Sequence, residues 1–148
     1  MASAQPLRLH TAEPPPRWRT SRLAVVDCSV LAAKVWHEDN AHEAAAILTG
    51  RELQAPDLLI YEMANVARSK LRSGVAPDIA RAGLQAFEDH RITLHAGVCT
   101  AVFGFAARYG LTAYDASYLA LADQLAAPLF TFDQRLAEAA RKHFGDAT

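Results

Sequence analysis

The sequence predicts an α/β domain in which helices cover both faces of a central parallel sheet of four to five strands. Short apolar segments suited to buried strands alternate along the chain with helical segments, often in pairs. Such alternation requires crossover connections, which join parallel strands. The chain has 148 residues, of which 51% are hydrophobic and 21% charged, so it suits one globular domain with a single core.

The first of these strands has the strongest pattern. Leu23–Val26 is wholly apolar, contains two β-branched valines and ends directly before an acid, Asp27. Three further strands are expected in short apolar segments at 53–55, 92–94 and 128–132. Because a helical segment follows each of the four, they are expected to lie side by side and to point the same way.

Seven helices are expected from the spacing of apolar residues and from helix start and stop signals. Their ranges are 29–36, 41–48, 56–74, 77–90, 97–109, 114–126 and 134–144. Residues 92–107 form the longest stretch without a charged residue. This stretch contains two glycines and is too short to span a membrane, so it is expected to include a buried helix.

Residues 1–21 differ in composition and are expected to form a flexible, proline-rich arm in front of a single domain that spans 22–148. The run Pro14-Pro15-Pro16 excludes a helix and favours an extended, solvated chain. Arg17 and Arg19 leave open a basic arm that contacts nucleic acid or a partner. Because these charges show no periodicity, a disordered extension, or a start upstream of the true one, is the preferred interpretation.

Charge and cysteine content narrow the class of protein. The formal net charge is −1, whereas nucleic-acid binders are usually basic. A cluster of acids that binds cations would mask a local basic surface in this sum. The two cysteines, Cys28 and Cys99, show no metal-binding spacing and are too few for a disulfide framework, which favours the cytoplasm.

Four acids occupy positions that matter in such a fold. Asp27 and Asp133 each follow a predicted strand, Glu62 lies in the helix after the second strand, and Asp115 begins the helix before the last strand. Sites in parallel α/β sheets form at the carboxyl ends of the strands, where all four acids are able to converge. Clustered carboxylates repel one another unless some are protonated or a cation is bound.

An all-oxygen cluster of this kind points to a hard cation, Mg²⁺ or Mn²⁺, rather than zinc. Such ions activate water and neutralise the charge that develops when a phosphodiester is hydrolysed. Each acid also has a simpler structural role, because Asp27, Asp115 and Asp133 stand where helix caps occur and Glu62 suits a solvated helix face. Capping alone does not account for Asp27 at the end of an apolar strand or for the Glu-x-x-Asn pair after the next strand.

Three neighbouring residues are candidates for supporting roles. Asn65 lies one helical turn from Glu62, so the two side chains are expected to face the same site. Ser29 follows Asp27 by two residues, and Thr131 precedes Asp133 by two. Their hydroxyls are placed to orient carboxylates or bound waters, although Ser29 also suits a helix start and Thr131 a strand.

Four segments around these acids resemble the successive signatures of PIN domains, and most closely those of VapC toxins from bacterial toxin–antitoxin pairs. The segments are Val-Val-Asp27-Cys-Ser29, Tyr-Glu62-Met-Ala-Asn65, Tyr-Asp115-Ala-Ser-Tyr-Leu-Ala-Leu-Ala and Leu-Phe-Thr131-Phe-Asp133-Gln-Arg-Leu. The resemblance spans about 23–144. Each segment alone is a weak signal, but four in the right order are a strong one. The proline-rich arm departs from the pattern, because such toxins usually begin close to the first strand.

The resemblance implies a PIN-like fold and a Mg²⁺- or Mn²⁺-dependent endoribonuclease that leaves 5′-phosphate and 3′-hydroxyl ends. Carried over, Asp27, Glu62, Asp115 and Asp133 become catalytic metal ligands, with the three neighbours in support. It also implies the toxin of a type II toxin–antitoxin system. Such a toxin forms a homodimer, and its small VapB-type antitoxin binds it in a heterotetramer or larger complex and blocks the active site.

Contacts to RNA are less clear from the residues. Arg68 and Arg72 are four apart on the helix that carries Glu62 and are candidates for binding phosphate, although a solvated helix end accounts for them equally well. Tyr61, Tyr114 and Tyr118 stand near the acids and suit base stacking. At helical spacing, however, aromatic residues more often belong to the core.

Three further interpretations stay open at the level of sequence. A haloacid-dehalogenase-like phosphohydrolase also has an aspartate after its first strand but requires a second aspartate two residues later, where this chain has Ser29. A non-catalytic PIN-like interaction module would not need all four acids. An unrelated α/β binding domain would use the acids only as caps, and no glycine-rich phosphate loop supports a nucleotide cofactor.

Overall fold

The computed structural model describes residues 9–12 and 22–145. Within them the strands are β1 (His10–Ala12), β2 (Leu23–Val26), β3 (Glu52–Pro56), β4 (Ile92–His95) and β5 (Leu129–Thr131). The helices are α1 (Cys28–Val35), α2 (Ala41–Leu48), α3 (Leu59–Arg72), α4 (Pro77–Glu88), α5 (Cys99–Tyr109), α6 (Ala113–Leu125) and α7 (Gln134–Phe144).

The strands form one sheet in the order β1-β5-β2-β3-β4. β2, β3, β4 and β5 are parallel, and β1 is antiparallel to β5. The prediction of an α/β fold with a largely parallel sheet of four to five strands flanked by helices is therefore confirmed. Because the four parallel strands run the same way, their carboxyl ends share one edge of the sheet, which we call the acidic edge because Asp27 lies there.

The centre of the sheet is dry on both faces. Ala24, Val25 and Val26 in β2 are completely buried, as expected for a strand covered by helices on each side. α6 packs on β2 and β3, while α7 packs on β1 and β5. This packing places the beginnings of α1, α6 and α7 next to the ends of the central strands.

The predicted strands and helices from Leu23 onward are all present, with small shifts at their ends. The largest shift concerns α3, which begins at Leu59 rather than at 56. Pro56 is the last residue of β3, and the backbone N–H of Asp57 donates to the carbonyl oxygen of His95 at 2.9 Å. β3 therefore continues past the apolar residues 53–55. Pairing with β4 keeps Pro56 in the strand, although the local sequence predicts that a helix begins there.

The sequence did not indicate β1, because three residues carry almost no local strand signal. His10, Thr11 and Ala12 pair with Thr131, Phe130 and Leu129 of β5, and Ala12 is buried. Part of the expected 1–21 arm thus belongs to the sheet. The proline run and Arg17, Trp18 and Arg19 lie outside the described residues.

The expectation of a buried helix within 92–107 is wrong. None of the side chains of α5 is buried, and Phe103 is 71% exposed. The apolar composition of the segment suits a core helix, but the helix lies against α6 at the rim of the fold. Among the described residues, no helix is long and apolar enough to cross a membrane.

Two substitutions test whether β1 stabilises the domain. Ala12→Asp places a charge at a buried position and should lower the free energy of unfolding by about 3 kcal/mol. Thr11→Asp introduces the same charge at the exposed neighbouring position and should change it by less than about 1 kcal/mol. Urea denaturation measures both, and equal small effects would contradict an integral role for β1.

Candidate active site

The four acids lie on elements that meet at the acidic edge. Asp27 directly follows β2, and Asp133 follows β5, the strand paired with β2. Glu62 and Asp115 lie in the first turns of α3 and α6. The charge of Asp133 acts on Asp27, and the charges of Asp27 and Asp115 both act on Glu62. Pairwise electrostatic interactions therefore link the four carboxylates in the order Asp133, Asp27, Glu62 and Asp115, and we call this set the acid cluster.

Asp27 is a buried acid held by two hydroxyls. The residue is 7% exposed, and Ser29 Oγ and Thr131 Oγ1 each donate to its Oδ2 at 2.7 Å. It makes no side-chain capping hydrogen bond to α1, so helix capping does not account for it. Desolvation raises its pKa above the ordinary value, against the lowering effect of these hydrogen bonds.

The same hydroxyls connect β2 to the end of β5. The N–H of Phe132 donates to Ser29 Oγ at 2.9 Å, and the N–H of Asp133 donates to Thr131 Oγ1 at 2.9 Å. Each hydroxyl thus donates to Asp27 and accepts from the chain that leads to Asp133. This network sets the relative positions of the two aspartates and is the contact that Ser29 and Thr131 supply.

Glu62 is partly buried, and its carboxylate is held from α6. The hydroxyl of Tyr118 donates to Glu62 Oε2 at 2.5 Å. Burial raises the pKa of Glu62 to about 7; the charges of Asp27 and Asp115 add to the rise, and the hydrogen bond from Tyr118 opposes it. Near neutral pH this side chain is therefore able to hold or release a proton.

Asp115 and Asp133 also take part in helix capping. Thr112 Oγ1 donates to Asp115 Oδ2 at 2.8 Å and accepts from the Asp115 N–H at 3.1 Å. Asp133 Oδ1 accepts from the Leu136 N–H at 2.8 Å and caps α7. Helix capping thus engages one carboxylate oxygen of each aspartate. The negative charges of both aspartates still act on neighbouring acids of the cluster.

The donor chemistry of the cluster fits a divalent cation. All four side chains offer oxygen, which Mg²⁺ and Mn²⁺ prefer, and burial together with neighbouring negative charges raises the pKa values of Asp27 and Glu62. Among residues 9–12 and 22–145, no three acidic, histidine or cysteine side chains are grouped as ligands of one ion. Mg²⁺ usually binds through one or two carboxylates and keeps several waters, so a pair from this cluster suffices.

The remaining predicted residues lie on the outer face of α3. Asn65, Arg68 and Arg72 are exposed, and in the described structure Asn65 makes no hydrogen bond to an acid. With about 100° per residue, Asn65 is roughly 160° around the helix from Met63 on the buried face, whereas Glu62 lies between the two faces. Glu62 and Asn65 are one helical turn apart, but their side chains form no hydrogen bond with each other.

Tyr118, which the sequence places either against bases or in the core, makes a contact with Glu62 that sequence reasoning did not predict. It is completely buried, as its helical position suggested, but its hydroxyl ends on Glu62. The sequence did indicate that Tyr118 has a hydrogen-bond partner, because the hydroxyl of a tyrosine in the core needs one. Finding that partner requires knowing that α3 and α6 lie side by side, which local sequence does not show.

Comparison with known proteins agrees with this geometry. The PIN domain family matches residues 24–142. The chain belongs to the PIN-domain family. It is 34% identical over 120 residues to Ribonuclease VapC3 from Pyrobaculum aerophilum, covering 77% of this chain and 92% of that protein. Membership sets aside the haloacid-dehalogenase-like interpretation and that of an unrelated α/β domain.

A solved structure supports the fold assignment. The crystal structure of PAE2754 from Pyrobaculum aerophilum is similar with a TM-score of 0.61 and 28% sequence identity. The match covers 78% of this chain and 84% of that one. The PIN domain therefore extends over nearly all of the chain from β2 to α7.

The raised pKa of Glu62 predicts a pH-dependent stability in the metal-free protein. The folded state keeps this proton up to about pH 7, whereas the unfolded state loses it near 4.5, so stability falls as pH rises between these values. Glu62→Gln removes this contribution. In EDTA, the variant should therefore gain stability relative to the parent as pH rises, with the difference levelling off above about 7.

Urea midpoints at several pH values from 4.5 to just above 7 measure that difference. Glu88→Gln, which neutralises an exposed acid on α4, is the matched control and should show no such trend. A Glu62→Gln difference that does not change with pH would contradict the assignment of a raised pKa to Glu62.

Proposed function

We propose that this protein is a Mg²⁺- or Mn²⁺-dependent endoribonuclease and the toxin of a type II toxin–antitoxin system. The observation that carries the proposal is the cluster of Asp27, Glu62, Asp115 and Asp133 at the acidic edge of a PIN domain. The name of the relative, Ribonuclease VapC3, supports RNA as the substrate. The proposed setting is the cytoplasm.

The cation would be held by carboxylates of this cluster, with Asp27, Glu62, Asp115 and Asp133 as the candidate ligands and water completing its coordination. Bound there, Mg²⁺ would make water more acidic and neutralise charge on the phosphodiester. Ser29 and Thr131 keep Oδ2 of Asp27 in place, and Tyr118 does the same for Oε2 of Glu62. Oε1 of Glu62 is then the oxygen available to a ligand or a proton.

Burial of these carboxylates also contributes to the chemistry. Around Asp27 and Glu62 the effective dielectric is lower than in water, so their interaction with a cation or a developing charge is stronger. The hydroxyl partners limit reorientation of the carboxylates during the reaction. We assign Arg68 and Arg72, exposed on α3, to contacts with RNA phosphates, which position the strand without reading its sequence.

A small VapB-type antitoxin is the proposed protein partner, by analogy with the relative's VapC name. It would act by covering the acidic edge and so excluding RNA. The proposed assembly is a toxin homodimer bound by antitoxin in a heterotetramer or larger complex.

The exposed surface of α5 supports the homodimer. Val98 and Phe103 are 59% and 71% exposed, and Leu94 of the adjacent edge strand is 38% exposed. Large apolar side chains that stay exposed are candidates for burial by a protein partner. We propose that a second copy of the chain covers this surface.

Asp115→Asn tests the catalytic assignment. It removes one charge from the cluster while keeping the side-chain oxygen that Thr112 contacts, so the fold should survive. Cleavage should fall on the order of 100-fold or more. Each variant is induced in a bacterial host, and new RNA 5′-phosphate ends are sequenced.

Asp89→Asn, which neutralises an exposed acid after α4, is the control and should cleave like the parent. New ends in both variants would place the chemistry elsewhere. No new ends from soluble, folded parent protein would support the non-catalytic interaction module instead.

Phe103→Glu tests the proposed dimer. The charge should disfavour burial of α5 against a second copy and shift the sedimentation coefficient from dimer to monomer. Ile79→Glu introduces the same charge at a comparably exposed apolar residue, 59% exposed on α4, and should leave the dimer intact. A parent that already sediments as a monomer, or a Phe103→Glu variant that stays dimeric, contradicts this interface.

A further inference from the structure

α3 presents a continuous stripe of exposed side chains that begins beside the acid cluster. Tyr61, Asn65, Arg68 and Arg72 follow the spacing i, i+4, i+7 and i+11, which places them on one face of a helix. The opposite face, with Leu59, Met63 and Ala67, is buried in the core. From Tyr61 to Arg72 the stripe is about 16 Å long, enough to follow several nucleotides.

Tyr61 and Tyr114 are exposed aromatic residues next to acids of the cluster. They are 73% and 65% exposed, and each directly precedes an acid, Glu62 or Asp115. Those two acids are close enough for the charge of Asp115 to act on Glu62. The two exposed tyrosines are therefore sequence neighbours of acids that interact with each other, whereas Tyr118 is in the core.

No interaction within the described structure accounts for the two exposed rings. Neither tyrosine stacks on another aromatic ring or forms a hydrogen bond through its hydroxyl among the described residues. Arg68 and Arg72 likewise form no ion pair there, whereas Lys70 on the same helix binds Glu38. The stripe thus combines unengaged aromatic and guanidinium groups, which are suited to stacking on bases and binding phosphates.

The overall charge favours the same role. With 15 basic and 16 acidic residues, the chain lacks the excess of cations that usually supplies RNA affinity. Base stacking on tyrosine does not depend on net charge and contributes substantially for each stacked base. An acidic active site that must bind a polyanion gains most from contacts of this type.

We propose that Tyr61 and Tyr114 stack on bases next to the scissile phosphate and that the strand continues from Tyr61 along Asn65, Arg68 and Arg72. This assignment rests on the proposed ribonuclease function and adds the residues that hold the substrate. A protein partner on the same stripe is the competing occupant. The mixture of phenol, amide and guanidinium favours RNA, because these groups stack on bases and bind phosphates. The exposed large side chain of α5, Phe103, is instead apolar, as a surface proposed to bind protein would be.

Binding measured without cleavage tests the assignment. The probe is a fluorescein-labelled, mixed-sequence single-stranded RNA of about 12 nucleotides, within the usual size of a single-strand binding site, and it is read by anisotropy in EDTA. Tyr61→Leu and Tyr114→Leu keep apolar volume but remove the ring, and each should weaken binding about tenfold. Tyr61→Phe and Tyr114→Phe keep the ring and should bind like the parent.

Salt dependence separates stacking from phosphate contacts. Arg68→Gln should reduce the slope of log affinity against log salt by about 0.7, the value for one phosphate contact on a single strand. Tyr61→Leu should weaken binding with the slope unchanged. Ile79→Ala, which removes a similarly exposed apolar side chain from α4, is the control and should change neither quantity.

Three outcomes overturn the assignment: parental affinity in both Leu variants, a slope change in Tyr61→Leu, or a changed sedimentation coefficient in Tyr61→Leu, which would identify a protein contact.

The outcome for the ribonuclease function is separate. Ring-dependent binding without Mg²⁺-dependent cleavage would leave the stacking assignment standing and reject the nuclease. Cleavage that is lost in Asp115→Asn but kept in both Leu variants would do the reverse.

Discussion

Asp27 places a carboxylate in the core at the end of β2, and burial of such a group costs free energy that its surroundings must offset. The offset comes from Ser29 and Thr131, whose hydroxyls belong to α1 and to the neighbouring strand β5. Each hydroxyl also accepts a hydrogen bond from the backbone that follows β5. The hydrogen bonds that stabilise one buried acid therefore connect β2 with β5 and the start of α1 with the segment that leads into α7.

A second contact of the same kind joins the helices. Glu62 on α3 accepts from Tyr118, which is buried in α6. The two acids therefore reach the acidic edge from different layers of the fold, each held by a hydroxyl from another element. A rigid arrangement of like charges is unfavourable by itself, and a bound cation would offset that cost. This cost is the physical basis of the proposed cation site.

Sequence was sufficient for the order of elements from β2 onward because the apolar strand segments are short and are separated by segments with helical spacing. It was also sufficient to place Asp27 at the acidic edge, since an acid that closes a wholly apolar strand is expected at the carboxyl edge of a parallel sheet. It was insufficient where a contact joins distant segments. β1 depends on pairing with β5, and the role of Tyr118 depends on α3 and α6 being neighbours. The prediction that α5 is buried was wrong, because composition does not distinguish an apolar core helix from an apolar surface helix.

The direction of β1 separates the two ends of the folded domain. Because β1 is antiparallel to β5, the chain enters the sheet at His10, opposite Thr131, on the acidic edge. α7 starts at that edge, just after Asp133, and carries the chain away from it. A domain fused directly to the start of β1 would thus begin at the edge that carries the acids, whereas one fused directly to the end of α7 would begin away from that edge. Purification and immobilisation of an active form are accordingly better served by the carboxyl terminus.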